Sequence, residues 1–425
     1  MMTQTLLLRG GLVVTGSGSR KEDILVWDGR IALTGPGISA PAGAEILDLT
    51  GKTVVPAFAD LHVHFREPGY SYKETIRTGS LAAARGGYTL VCTMPNLNPV
   101  PDTPETLALE QEIIDRDAVI TVLPYCAITK GRKGLETVDF KSLKGRCVAF
   151  SDDGSGVQSD GMMRKAMEAA AKEGVIIAAH CEDNTLLRGG YIHDGRYASL
   201  HGHRGICSES EWKQIARDLE LAGETGCRYH VCHISTKESV AIIREAKRRG
   251  VPVTCETAPH YLTLCEDDLR EEGRFKMNPP LRSAEDRSAL IEGLIDGTID
   301  AIATDHAPHS AEEKSLGLEK SAMGIVGLET SFPVLYTSLV KTGILGPERL
   351  IEAMSEAPRR IFGLGGGLAP GCPADIAVID TEHPFTIDSR TFLSKGKATP
   401  FDGWNVYGKI ILTLRGGVTV YKEIG

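Results

Sequence analysis

The stretch Asp60-Leu-His-Val-His-Phe-Arg66 carries two histidines two residues apart, directly behind the apolar run Thr53-Val-Val-Pro-Ala-Phe-Ala59. That run reads as a buried strand, in which residues two apart face the same way. His62 and His64 therefore project together from its C-terminal end. Neutral imidazoles are common zinc ligands, so the pair could give two ligands to one metal. An isolated HxH pair also occurs as a structural or surface pair. The metal reading depends on further ligands at equivalent places along the chain.

The elements that would position such ligands are legible from residue 53 onward. Apolar, β-branched runs recur at 54–63, 88–94, 118–128, 146–150, 175–181, 228–234, 251–257 and 299–304. Helix-like stretches lie between them around 73–85, 104–116, 160–173, 209–226, 236–249 and 283–297. Several of these end at glycine, as in Arg85-Gly-Gly87, Glu173-Gly174 and Arg249-Gly250, the usual signal after a last helical turn. Continuous apolar strands alternating with helices imply a parallel sheet covered on both faces. Eight such units match an α/β fold of the (β/α)8 TIM-barrel type. The interval 129–145 is the weakest, being short for a helical crossover. After residue 310 come a loop bearing Gly and Lys, then helices near 328–342 and 347–356.

Both chain ends look different. Residues 5–50 hold short β-like pieces, among them Asp23-Ile-Leu-Val-Trp27 followed by Asp28-Gly-Arg-Ile31, a hairpin signal. From about 366 the texture is β-like again, at 374–379, 408–414 and 418–421. The expected organisation is a barrel over 53–365 and a small discontinuous β-sandwich-like domain built from 1–52 and 366–425.

Barrel chemistry sits at the C-terminal ends of the strands. Read in order, those ends give Asp60, His62, His64 and Arg66; Asn96; Asp152 and Asp153; His180; His233; Glu256 and His260; and Asp305, His306 and His309. Four histidines and two carboxylates can hold two divalent metals. The natural set is His62, His64, His180, His233, one of Asp152 and Asp153, and Asp305. A bridging carboxylate lets two cations sit about 3.5–4 Å apart with a hydroxide between them. The residual positive field lowers the pKa of water and favours an anionic substrate. Asp305 could ligate and still exchange a proton; as a plain structural residue it would be a helix N-cap. Asp152 fits a capping or hydrogen-bonding role better than a metal. Arg66 offers a rigid fork for a carboxylate. Asn96, Asn278 and His309 read equally as substrate contacts and as turn or loop residues.

Composition bounds the function. The chain has 425 residues, 42% hydrophobic and 24% charged, with net charge −9. That balance argues against a general binder of nucleic acid or anionic membranes. No apolar run approaches the roughly 18–20 residues of a membrane span, and Met1–Arg9 does not make a signal peptide. Cysteines such as Cys92, Cys126, Cys181, Cys232 and Cys255 sit inside apolar runs without a CxxC pair. They read as reduced, buried thiols of a cytoplasmic protein.

Asp60-Leu-His-Val-His-Phe-Arg-Glu-Pro-Gly69, Thr93-Met-Pro-Asn96, Phe150-Ser-Asp-Asp-Gly154, Asn278-Pro-Pro-Leu-Arg282 and Ala303-Thr-Asp-His-Ala-Pro-His309 together resemble the dihydroorotases of the amidohydrolase superfamily, in their long bacterial form. The DxHxH core marks only the superfamily; the Arg-Glu-Pro-Gly continuation and the Thr-Asp-His-Ala-Pro-His segment are more specific. The resemblance implies reversible closure of N-carbamoyl-L-aspartate to L-dihydroorotate in pyrimidine synthesis. It implies two zinc ions per subunit: His62, His64 and Asp305 on one, His180 and His233 on the other, Asp153 bridging. Asp305 would be the general acid/base. His64, Arg66, Asn96, Asn278 and His309 would contact substrate, with backbone groups at Met323 and Gly324. Many relatives carry an aromatic where Met323 stands. A homodimer is expected, and a complex with aspartate transcarbamoylase stays open. The segment 306–324 is the candidate closing loop.

Two rival readings follow from the same superfamily. Hydantoinases and allantoinases typically bridge their metals with a carboxylated lysine at the end of strand four. Here that strand ends Ala149-Phe-Ser-Asp-Asp153, and Lys144 lies at its start. A dihydroorotase-like scaffold for aspartate transcarbamoylase would lack the metal ligands, and this chain has all six.

Overall fold

Phe58–Val63, Tyr88–Thr93 and Ile176–Ala179 are buried at every position, as strands covered on both faces must be. In this computed structural model, which describes residues 5–423, parallel pairing runs from Phe58–Val63 to Tyr88–Thr93 and on to Thr121–Pro124. A second run joins Ile176–Ala179, Arg228–Val231, Val253–Thr257 and Ala301–Ile302. Single parallel bridges close the ring. Phe150 pairs with Cys126 on one side and Ile177 on the other, and Val63 pairs with His306. The result is the expected (β/α)8 barrel, with its fourth strand reduced to the neighbourhood of Phe150.

The helices start where their capping residues predict. Thr75, Thr103, Ser159, Thr236 and Ser283 each accept a backbone N–H of the first turn with their side chains, satisfying a donor that the helix leaves free. The helices 160–173 and 209–225 end on Gly174 and Gly226 with φ of 69° and 68°, a left-handed conformation that suits glycine. The weak interval holds no crossover helix, only a short turn at Lys130–Arg132 and a single helical turn at Phe140–Leu143. Beyond the barrel, the expected helices at 328–342 and 347–356 form as short α segments that continue into widened turns at Tyr336–Val340 and Glu352–Glu356.

The two chain ends meet in one sheet. Its order is Val418–Lys422, Lys409–Arg415, Ile376–Asp380, Thr53–Pro56, Thr5–Thr15, Gly18–Trp27 and Arg30–Gly35, with Glu45–Asp48 beside Thr5–Thr15. The predicted hairpin turns at Asp28-Gly29, where both φ are positive (48° and 73°), as the tight hairpin turn requires. Leu8, Val26, Val54, Ile376 and Leu414 fill a core of its own beneath this sheet.

One strand reading is corrected. The run 54–63 is two strands. Thr53–Pro56 pairs with Ile376–Ile379 in the small sheet. The Ala57 N–H still donates to Asp375, while the Phe58 N–H donates to Gly87 in the barrel. The chain changes sheets at one peptide unit, and an unbroken apolar run gives no signal of that.

Candidate active site

The C-terminal strand ends bring the predicted ligands to one buried point. Asp153 lies at its centre. Its Oδ1 is 3.3 Å from His62 Nε2, 3.6 Å from His233 Nε2 and 3.8 Å from His180 Nδ1. Its Oδ2 is 3.6 Å from His64 Nε2. Asp305 completes the group, with Oδ1 at 3.1 Å from His64 Nε2 and 3.7 Å from His62 Nε2. His233 and Asp305 adopt positive φ of 32° and 48°. Such strain at residues other than glycine persists only where the surroundings enforce it, and it gathers at functional sites.

Neighbours fix the tautomers of the first two imidazoles. His62 Nδ1 faces Glu256 Oε1 at 3.2 Å. A carboxylate accepts, so Nδ1 keeps a proton, which leaves Nε2, on the side of Asp153, as the atom that would ligate. His64 Nδ1 meets Asn96 Oδ1 at 2.9 Å, and Asn96 Nδ2 donates to Asp153 Oδ2 at 3.2 Å. Asn96 therefore orients two of the ligands, in addition to the substrate contact expected of it.

Charge and burial suit a cation. Burial alone would push Asp153 and Asp305 up. Instead the imidazoles around them, His62 and His233 for Asp153 and His64 and His62 for Asp305, hold both below the usual carboxylate range. The buried atoms His62 Nε2, Asp153 Oδ1, His180 Nε2 and His233 Nδ1 have no hydrogen-bond partner among the described residues. Each unsatisfied buried polar atom costs about 1–3 kcal/mol. A donor set of imidazole nitrogens and carboxylate oxygens is what a divalent zinc-like ion takes, so the residues fit a metal. His62, His64 and Asp153 form one group of close ligand atoms, and Asp153, His180 and His233 another. Asp153 belongs to both.

The remaining expected residues fall around this group. Asp152 stays out of it: its carboxylate accepts from the backbone N–H of Ile128 (2.8 Å) and Thr129 (3.1 Å), loop amides ahead of the turn at Lys130–Arg132, so it ties down the loop and caps no helix. Arg66 donates from Nε to the Pro308 carbonyl at 3.3 Å. His309 Nε2 meets the Met323 carbonyl at 2.8 Å, and the Gly324 N–H donates to Lys276 O at 3.1 Å. These backbone groups are thus engaged within the protein itself. Asn278 donates to Glu182 at 3.0 Å. His260 is buried against Tyr261, and burial lowers its pKa to about 4. Lys314 ties the segment 306–324 down, donating to Lys276 O (3.1 Å) and Ala322 O (2.7 Å).

Three residues were missed from the sequence. Glu256 was seen at its strand end without a role. Glu182 follows His180 by two, the same period that singled out His62 and His64, and could have been found that way. Lys73 reaches His309 Nδ1 at 3.1 Å from the loop ahead of the helix 76–85, and no local signal marks it. Lys144, at the start of strand four, is half exposed and faces Glu173 at 3.9 Å; it takes no part in the cluster.

The family model described as Dihydro-orotase-like matches residues 51–239. The chain is 53% identical over 404 residues to a dihydroorotase of Bacillus cytotoxicus and 52% identical over 404 residues to one of Bacillus cereus, with 94% of this chain and 94% of each relative covered. Among solved structures it is similar to an L-hydantoinase from Arthrobacter aurescens (TM-score 0.90, 29% identity, 99% of this chain and 96% of that one). It is also similar to a D-hydantoinase from Thermus sp. (TM-score 0.84, 27% identity, 98% and 95%). With half its residues shared along nearly the full length of the Bacillus enzymes, the chain belongs to the dihydroorotase family.

Proposed function

We propose that the chain interconverts N-carbamoyl-L-aspartate and L-dihydroorotate, with His62, His64, Asp153, His180, His233 and Asp305 holding two zinc ions. The observation that carries this reading is the convergence of four imidazoles on Asp153, with Asp305 beside them and no lysine at the end of strand four. The ions, when bound, would supply Lewis acidity that lowers the pKa of water and polarises a carbonyl. Everything else is work for the chain's own side chains.

Arg66 presents a guanidinium fork suited to the substrate carboxylate. Asn96, Asn278 and His309 line the rest of the substrate path, and the Met323-Gly324 backbone would exchange its bonds to His309 and Lys276 to join them. In ring opening, the carbonyl carbon gains a bond to the oxygen of water and loses its bond to the ring nitrogen. Asp305, a carboxylate at neutral pH, takes the proton of the attacking water and delivers it to the departing nitrogen. In closure the same group takes a proton from the carbamoyl nitrogen as that nitrogen attacks the carbon of the protonated side-chain carboxyl, and returns it to the hydroxyl whose bond to that carbon breaks, which leaves as water. The small-molecule substrate, a homodimer, an association with aspartate transcarbamoylase and a cytoplasmic location belong to the same reading. Among the described residues no helix is long and apolar enough to cross a membrane.

The test follows the ultraviolet absorbance of L-dihydroorotate as purified protein is added, with and without prior chelation. Chelator-sensitive loss of the ring signal is expected. Absence of turnover with zinc present would sink the assignment, and turnover of hydantoin instead would favour the other branch of the superfamily. Gel filtration with and without aspartate transcarbamoylase decides the assembly.

A further inference from the structure

Asn278 Nδ2 lies 3.0 Å from Glu182 Oε1. A carboxylate offers acceptors only, so this contact fixes the amide with its nitrogen toward Glu182. The amide oxygen, Asn278 Oδ1, is buried and has no hydrogen-bond partner among the described residues. Glu182 is itself held firmly. Its backbone N–H donates to Gln214 Oε1 at 3.1 Å, and its carbonyl accepts from Gln158 Nε2 at 2.9 Å. Its second carboxylate oxygen stands 3.6 Å from His180 Nε2. One side chain thus spans from the ligand cluster to the residue expected to touch substrate.

We infer that Glu182 is a positioning residue for substrate recognition, holding Asn278 so that its carbonyl oxygen accepts an N–H of the ring. This rests on the dihydroorotase reading. The buried oxygen has no donor among the described residues, so a ligand N–H satisfies it, and a ligand lacking that N–H leaves it unpaired. Sites built around such a polar group reject the analogue that lacks the matching hydrogen bond far more strongly than apolar pockets reject a missing methylene. The selection made here is for a ureide ring over an isosteric carbocyclic one.

The experiment compares inhibition constants for two analogues of dihydroorotate, in each of which one ring N–H is replaced by CH2. In the wild-type enzyme one analogue is expected to bind at least about tenfold more weakly than the parent ring, the other much less so. Glu182→Gln can offer Asn278 either an oxygen or a nitrogen, so the amide is free to turn over. The discrimination should then shrink below about threefold, while circular dichroism and metal content stay those of the wild type. Calorimetric binding constants give the same ratio if the variant turns over slowly. An unchanged ratio in Glu182→Gln, or wild-type enzyme that binds both analogues as well as the parent, overturns the inference while leaving the activity standing. Wild-type protein without any turnover of dihydroorotate would instead remove the reading on which it rests.

Discussion

Lys73 Nζ lies 3.1 Å from His309 Nδ1, and this contact decides what His309 can do. Lysine only donates, so Nδ1 is the acceptor and Nε2 carries the ring proton, which goes to the Met323 carbonyl at 2.8 Å. Burial, with Arg66 and Lys73 close by, lowers the His309 pKa to about 3, so the ring is neutral through the working range. Lys73 is in turn anchored by Glu313 at 2.8 Å. Lys73→Met should release the tautomer and the Met323 backbone, raising KM about tenfold, the equivalent of one hydrogen bond to a charged group. Lys73→Arg should recover most of it. Steady-state kinetics across both variants checks this; a loss confined to kcat would contradict a positioning role.

Asp305, the proposed proton carrier, lies 3.1 Å from His64 Nε2 and is held ionised by the imidazoles around it. Asp305→Asn keeps the shape and removes the base. A fall in kcat of about 10²–10⁴ is expected, the usual size of a lost general acid/base. Thermal unfolding should show a folded protein, and metal analysis a site still partly filled. Activity within a few-fold of wild type would assign proton transfer elsewhere.

Chelation should lower the melting temperature and added zinc restore it. Burying His62 Nε2, Asp153 Oδ1, His180 Nε2 and His233 Nδ1 without partners is costly, and a ligand bound only by the folded state stabilises it by about 2.7 kcal/mol at a hundred times its Kd. Differential scanning fluorimetry across a zinc titration reads this directly. A melting curve indifferent to zinc and chelator would say that the cluster holds no metal.

Much of this was legible in the sequence, for physical reasons. Strand periodicity placed His62 with His64, and glycine signals marked the helix ends at Gly86-Gly87, Gly174 and Gly250, because both rest on local backbone geometry. The barrel followed from eight alternating units. What stayed hidden depends on contacts between distant segments. The change of sheet at Ala57 is invisible in an apolar run, since both sheets bury the same residue types. The fourth strand is reduced to bridges at Phe150, whose ring packs on Phe140 of the single helical turn 140–143, a contact that no periodicity announces. Lys73 and Glu256 gain their roles only from partners some 190 or more positions away, His309 for the first and His62 for the second. For the adjacent pair Asp152 and Asp153 the sequence expects only the second among the imidazoles, and the structure turns Asp153 to His62 and Asp152 to the amides of Ile128 and Thr129.

Glu110 gives a pH signature away from the site. Its carboxyl is buried on the helix 104–117, accepts from Thr93 Oγ1 at 2.7 Å, and is pushed by burial up to about 8. A carboxyl whose pKa is raised on folding stabilises fully below its unfolded value, and that contribution is lost as pH rises through about 8. Glu110→Gln has no proton to lose there. Urea unfolding should find variant and wild type close at pH near 5, with the variant more stable by about 2–4 kcal/mol near pH 9. Parallel stability curves for the two proteins would mean that Glu110 is not buried neutral.

Glu256 closes the account of how the ligands are aimed. Its two oxygens take His62 Nδ1 at 3.2 Å and His230 Nε2 at 3.2 Å, and His230 Nδ1 meets Thr254 Oγ1 at 2.8 Å. Burial would raise Glu256, but the His230 and His62 imidazoles beside it outweigh that and bring it to about 2. It is therefore an ionised acceptor that pins the proton of His62 on the side away from Asp153. Glu256→Gln could pair with His62 through either its oxygen or its nitrogen, and the second choice would turn the imidazole proton toward the metal. Partners of this kind typically contribute 10–100-fold in metal affinity. Competition with a chromophoric chelator should show zinc held about that much more weakly in the variant, with the fold of the metal-free protein unchanged. Zinc retained as tightly as in the wild type would mean that the strand end alone aims His62.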